Sequence, residues 1–202
     1  LMHRLAARLN VRLEFVPYTY DTVIEQLDSG EIDIAMSGLV IKPERLLHVG
    51  FSRPYQQATV AIAVRDHRRD EFDSHAIDGI PDSVRKLGTD EVDTARQARR
   101  RHPKVEFEVV DSLDAFFRGE RPDLDGLILP AEEGAAWNVL YPEHAVVIPK
   151  PEVHRPVGLA VRRNDAEWVR LLDRFLDFAE MDGTLQNLRE YWVEGGGTKD
   201  QQ

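Results

Sequence analysis

EIDIAMSGLVIKPERLLHVGFSRPY, running from Glu31 to Tyr55, is the stretch on which the reading of this chain turns. A short apolar strand, Ile32 to Met36, breaks at Ser37-Gly38 and resumes with Leu39-Val40-Ile41. Pro43-Glu44-Arg45 then has the form of a helix start. Proline is preorganised for the first helical position, and glutamate suits the positive end of the helix dipole. This order predicts one guanidinium, Arg45, close to a turn with free backbone N–H groups. Such a pairing suits capture of a small carboxylate, because a guanidinium grips both oxygens at once. The competing reading is an ordinary surface arginine on a helix.

Outward from this stretch, helical and strand periodicities alternate. Leu1 to Leu9 has apolar residues at helical spacing, Val11 to Val16 alternates like a strand, and Asp21 to Asp28 returns to helical spacing. Thr59 to Val64 is an apolar, β-branched strand, followed by a charged segment, Arg65 to Phe72, and a turn at Gly79-Ile80-Pro81-Asp82. Further strands are expected over 84–87, 105–110, 124–129, 145–148 and 157–161. Helices are expected over 91–101, 113–117, 131–140, 165–181 and 185–192, the last two parted by an Asp182-Gly183 cap. Gly195-Gly196-Gly197 and the polar tail are expected to fray.

The β/α alternation implies an α/β fold, with mostly parallel sheets flanked by helices. Two blocks of similar order, with one strand leading into the second and another leading out, predict two lobes joined by two crossings. The crossings are placed near Ala63–Arg65 and Val147–Lys150. Lobe one would be discontinuous, 1–64 plus 150–202, and lobe two would be 65–149. Ligand sites in such folds lie outside the carboxyl ends of the strands, which here means a cleft between lobes.

Composition narrows the function classes. A chain of 202 residues can bury a real core, and 42% hydrophobic with 31% charged residues is ordinary for a globular protein. No apolar run approaches the roughly 18 residues that span a bilayer. A formal net charge of -10 argues against a nucleic-acid partner, and Arg99-Arg100-Arg101 reads as a solvated helix end. Cysteine is absent, which excludes disulfides, thiolate chemistry and cysteine-based zinc sites.

The histidines are scattered, and no Gly-x-Ser-x-Gly elbow or phosphate-cradling glycine loop occurs. Neither catalytic residue, metal nor cofactor is therefore expected. Trp168, Phe175 and Phe178 read as core of the long C-terminal helix. Leu1-Met2-His3-Arg4 begins in mid-helix without a basic and apolar leader, so the chain is expected to be a fragment lacking its N-terminal strand.

Asp33-Ile34-Ala35-Met36-Ser37-Gly38, then Pro43-Glu44-Arg45, then Phe51-Ser52-Arg53-Pro54-Tyr55 resembles the signature of extracytoplasmic solute-binding proteins of family 3. The preceding Leu27 to Asp33 and a closing helix ending in Tyr191-Trp192 extend the likeness over nearly the whole chain. The resemblance implies the two-lobed clamshell of the type 2 periplasmic-binding fold. It also implies an extracytoplasmic, periplasmic receptor that acts as a monomer and delivers a small carboxylate ligand to an ABC permease.

Carried over residue by residue, it implies that Tyr20 forms a wall stacking on the ligand. Ser37 and Gly38 would offer a hydroxyl and backbone groups, and Arg45 would anchor the carboxylate. Gly88-Thr89 resembles the Gly-Thr at a lobe-two helix start that meets the same carboxylate. For Tyr20 core or rim packing stays open, and so does a simple helix cap for Thr89.

Three positions depart from that pattern. Val40 stands where relatives usually have Ser or Thr, so a hydroxyl is lost while the N–H remains. Asp90 would repel a bound carboxylate. Leu129-Pro130 occupies the place of an aspartate that pairs with the ligand's ammonium, leaving Glu132 and Glu133 on the next turn. Either one of those glutamates takes the ammonium or the ligand has none, and the residues lean slightly toward the second.

The segments 66–72 and 136–143 resemble a subgroup fused to cation:dicarboxylate symporters, which favours a dicarboxylate or an acidic amino acid. Two rival readings use the same scaffold. One is a cyclohexadienyl (arogenate/prephenate) dehydratase-like enzyme with Glu133 near its acid. The other is a sensing module of a larger membrane protein.

Overall fold

A computed structural model of the chain describes residues 1–19, 22–73 and 80–192. Tyr20, Gly79 of the expected turn and the Gly195-Gly196-Gly197 tail lie outside the described residues. The chain divides into two units, one built from 1–57 with 156–202 and the other from 58–155. The second unit thus begins seven residues before and ends six residues after the expected 65–149.

In chain order, helices α1 (Met2–Leu9), α2 (Val23–Ser29) and α3 (Pro43–Leu46) precede strands β1 (Val49–Phe51) and β2 (Gln56–Arg65). A 3-10 turn (Asp66–Arg68) leads to α4 (Arg69–Asp73) and, after the gap in the description, to β3 (Lys86–Thr89) and α5 (Val92–Arg101). There follow β4 (Glu106–Val109), α6 (Asp114–Phe117), β5 (Gly126–Pro130), α7 (Ala131–Leu140), β6 (His144–Val147) and β7 (His154–Val157). The chain closes with β8 (Ala160–Arg162), α8 (Ala166–Met181) and α9 (Thr184–Trp192).

The second unit is a sheet ordered β4-β3-β5-β2-β6, with β7 also paired to β2. β3 runs parallel to both β4 and β5, while β2 runs antiparallel to β5 and β6. Strands covered on both faces read as continuous apolar runs, and 61–64 and 126–129 are of this kind. Alternation sends Ile62, Val64 and Ile128 into the cluster with Phe72, Leu87, Ala95 and Phe107. Ala63, Leu127 and Leu129 enter the opposite cluster with Phe116, Phe117 and Leu124. Burying each phenylalanine ring contributes about 1.5–3 kcal/mol.

The first unit packs α1, α8 and α9 around Leu159, Val161, Leu172 and Leu176, and α2 against Ala35, Leu39, Val49 and Ala160. Asp165 caps α8 by accepting from the Trp168 N–H at 3.0 Å, and Gly183 ends it in the left-handed region with φ 74°.

Several expectations are overturned in this unit. Residues 11–16 form no strand; Leu13 and Val16 pack inward singly while Val11 and Phe15 stay exposed, and no ladder among the described residues takes them up. Ile32–Met36 contributes only a bridge, Ala35 to Ala160. Among the described residues, the unit's one regular ladder, β1 with β8, is antiparallel, not the parallel sheet expected.

The expected strand 157–161 splits into β7 and β8 around Gly158, where a Cβ would lie 2.9 Å from Ile41 Cδ1. Phe178 is 55% exposed, because Leu172, Phe175, Leu176 and Ala179 define the buried stripe of α8 and it falls off that stripe.

Candidate functional site

In the first unit the Ser37–Val40 turn is pinned at both ends. Ala35 and Ala160 exchange backbone bonds at 2.8 and 2.9 Å. On the other side, Ile41 N–H donates to the Pro156 carbonyl at 2.8 Å and Gly158 N–H to the Leu39 carbonyl at 3.2 Å. These bonds flank the Val40–Val157 pair, so Val40 is a non-hydrogen-bonded position and directs its own N–H and C=O away from Val157. Gly38 holds φ 73° with nothing within 4 Å of where a Cβ would sit, so its conformation rather than space demands glycine.

Arg45 is brought onto this turn by α3. Lys42, extended at φ -124°, is the N-cap residue, Pro43 opens the helix, and the Arg45 N–H bonds to the Lys42 carbonyl at 3.0 Å. The half-buried guanidinium donates through Nη1 to the Val40 carbonyl at 2.9 Å. Ser37, Gly38, Val40 and Arg45 therefore share one local surface. The turn is less open than expected: the Ser37 N–H donates to Tyr18 Oη at 3.0 Å, and the Gly38 N–H to the Met36 carbonyl at 2.9 Å.

Three residues join this surface without a local signal in the chain. Tyr18 accepts from Ser37, and Tyr55 donates through its hydroxyl to the Met36 carbonyl at 3.4 Å. Burial first, and then the neighbouring Tyr18, push the Tyr55 hydroxyl up to about 12, so it stays a donor. Lys42 is 4% exposed, a buried cation three residues from Arg45. Tyr55 stands in the motif that carried the resemblance, but nothing in its spacing shows which way its ring turns.

In the second unit, parallel pairing sets what meets. β3 and β5 run side by side, with Gly88 opposite Leu127, so their carboxyl ends emerge together and α5 and α7 start as neighbours. Thr89 ends β3, is 1% exposed, and accepts at Oγ1 from the Glu91 N–H at 3.4 Å. Glu91 in turn accepts from Thr94 Oγ1 at 2.6 Å.

From the α7 side, Glu132 accepts from the Thr59 N–H at 3.4 Å. Glu133 is half-buried, and its carboxyl is raised above the usual range by burial and then by Asp90, with Glu91 adding and a hydrogen bond with Trp137 opposing. This end of the sheet is thus acidic: Asp90, Glu91 and Glu133 act on one another, an arrangement that a cationic group would relieve. Thr59 also sits here, with Oγ1 3.2 Å from His154 Nδ1, a position no motif marks.

The chain matches the profile of the bacterial extracellular solute-binding proteins, family 3, over residues 1–195. Over 198 residues it is 27% identical to a membrane-bound lytic murein transglycosylase F of Pseudomonas putida (strain W619), covering 94% of this chain and 40% of that protein. The chain thus spans well under half of that relative's length. It is 26% identical to the cyclohexadienyl dehydratase of Pseudomonas aeruginosa (strain PAO1), covering 96% of this chain and 72% of that protein.

Among solved structures, the ancestral amino acid-binding protein AncCDT-1, a precursor of cyclohexadienyl dehydratase, superposes with a TM-score of 0.77. That match is 31% identical and covers 95% of this chain and 81% of that one. The mixed α/β architecture with helix-flanked sheets is the one these type 2 periplasmic-binding proteins share. With the profile matched from the first residue to residue 195, this chain belongs to the bacterial extracellular solute-binding proteins, family 3.

Proposed function

We propose that this chain is a non-enzymatic binding domain that captures a small amino acid and presents it for transport. The observation that carries this reading is the tether of the Arg45 guanidinium to the Val40 carbonyl, which holds a cation at the end of the Ser37–Val40 turn. A ligand carboxylate at Arg45 would gain charge-assisted hydrogen bonds there. Tyr20 is proposed as the apolar wall.

In the second unit Thr89 is proposed to supply a hydroxyl and Glu132 and Glu133 to receive an ammonium. The crowding of Glu133 with Asp90 and Glu91 supports a ligand that carries an ammonium over a simple dicarboxylate. A membrane transporter, either a separate ABC permease or a fused symporter, is the proposed recipient. The periplasm is the proposed compartment, and the domain is proposed to act as a monomer. Among the described residues no helix is long and apolar enough to cross a membrane.

Isothermal titration calorimetry with a panel of L-amino acids and C4 dicarboxylates tests this. An amino acid is expected to bind the wild type, and Arg45→Ala is expected to lose about 2–5 kcal/mol of that affinity. Undiminished binding by Arg45→Ala would overturn the assignment. Dicarboxylate binding in place of amino acids would remove Glu132 and Glu133 from the ammonium role.

A second reading is favoured by one observation: Glu133 is a half-buried carboxyl held protonated to higher pH, as a general acid requires. On that reading the chain would act like its dehydratase relative. Incubation with prephenate or arogenate, followed by ultraviolet absorbance of the aromatic product, separates the two. A Glu133-dependent increase in absorbance would establish the enzyme.

A further inference from the structure

We propose that the second unit carries a separate binding site for a small amphipathic anion, a molecule with an apolar body and one carboxylate, in a cavity on the α5 face of its sheet. The cavity has a volume of about 450 Å³, within the range of small-molecule pockets. None of Thr89, Asp90, Glu132 or Glu133 lines it, and it does not rest on the Arg45 reading.

Sheet register makes the floor apolar. Ile62 pairs with Ile128, so both side chains project to the same face, and Val60 joins them two residues along β2. Helix α5 makes one wall with Thr94 and Ala98, one turn apart. The segment 149–153 makes the other, tied to the floor by the Val60 N–H donating to the Val153 carbonyl at 2.9 Å.

The rim is cationic. Arg101, Lys150 and Arg155 line the cavity, and among the described residues no carboxylate does. Arg155 is held by two neutral acceptors, Thr94 Oγ1 and Gln97 Oε1, each at 3.3 Å, so its charge is positioned without being compensated. Among the described residues no acid pairs with these three cations. In a chain of net charge -10, where Arg68, Lys86 and Arg121 of the same unit are each tied to acids, this is a local reversal of sign. A carboxylate placed there would take charge-assisted bonds, and an alkyl or aryl body would cover the isoleucine floor. A neutral ligand would leave the rim unused, and a cation would be repelled by it.

The probes are octanoate, octan-1-ol and octylammonium, titrated calorimetrically into the wild type, Arg45→Ala, Ala98→Trp and the double variant Arg101→Gln/Lys150→Gln. Octanoate is expected to bind the wild type and Arg45→Ala alike, and the alcohol and the amine at least about tenfold more weakly. Ala98→Trp, which fills the cavity, is expected to weaken octanoate by about tenfold or more. The double variant lies at exposed positions and is expected to weaken octanoate by a similar factor while keeping its affinity for the alcohol. It carries the test should Ala98→Trp fail to fold. Equal binding of octanoate and octanol, loss of octanoate binding in Arg45→Ala, or its absence from the wild type would each overturn the proposal.

Discussion

Arg45 Nη1 donates to the carbonyl oxygen of Val40 at 2.9 Å, five residues back along the chain. The contact depends on Val40 being a non-hydrogen-bonded position opposite Val157, for only then does its carbonyl face away from that partner and toward the guanidinium. The cation is thereby aimed by backbone geometry.

Arg45→Lys should therefore not behave as a conservative change. Lysine keeps the charge but cannot bond the Val40 carbonyl and a ligand carboxylate with one rigid fork. Ligand affinity is expected to drop by about 1.5–3 kcal/mol, the worth of a charge-assisted bond, with thermal stability moving by less than about 1 kcal/mol. Calorimetry and a melting curve on the same sample check both parts.

Glu133 predicts a pH dependence of the unliganded protein. Its folded-state carboxyl is raised by burial and by Asp90, so between its ordinary value of 4.5 and the raised value the folded state binds more protons than the unfolded one. Stability from this group is complete below pH 4.5 and is lost as pH rises through the raised value. Glu133→Gln is expected to be more stable than the wild type at pH 7 and no more stable at pH 4. Urea unfolding at the two pH values measures this.

His144 acts in the opposite direction. It is 5% exposed, with its ring 5.2 Å from Phe116 and 5.0 Å from Phe117, and its Nδ1 is 3.9 Å from the Glu143 carboxylate, too long for a hydrogen bond. Burial lowers its folded-state value below 6.5, with Arg65 adding to the effect and Glu143 and the Tyr141 backbone opposing it. The unfolded chain then takes up a proton first, so stability falls as pH drops below 6.5 and levels off below the folded-state value. In His144→Phe the loss of stability between pH 8 and pH 5 should be smaller than in the wild type, as read from urea midpoints.

Gly126 is required by close packing. A Cβ there would lie 2.7 Å from the Ala63 carbonyl oxygen and 3.1 Å from both Ile62 Cγ2 and Val64 Cγ1. The first of these is backbone of β2, which is paired to β5 and β6, and cannot step aside. Gly126→Ala is expected to cost about 1–3 kcal/mol, seen as a lower denaturation midpoint with unchanged m-value.

The chain by itself determined the elements that cover their own sides. The runs 61–64 and 126–129 are apolar at every position, which only a strand buried on both faces tolerates, and both are strands. Helices α5 and α8 carry their periodicity, and α8 ends at its own signal, Gly183. Pro43 and Glu44 likewise place Arg45 on a helix start from local chemistry alone.

What the tertiary structure alone decided is which ends meet. The alternation of 11–16 has the form of a strand, yet a strand needs a partner ladder and none among the described residues is offered. The acidic group at Asp90 and Glu133 joins residues 43 positions apart, set side by side by the parallel register of β3 and β5. Tyr18 likewise reaches Ser37 across 19 positions, and Arg155 reaches Thr94 across 61. Local propensity acts over a turn or two of chain, whereas hydrogen-bond registry and shared burial bring distant segments together.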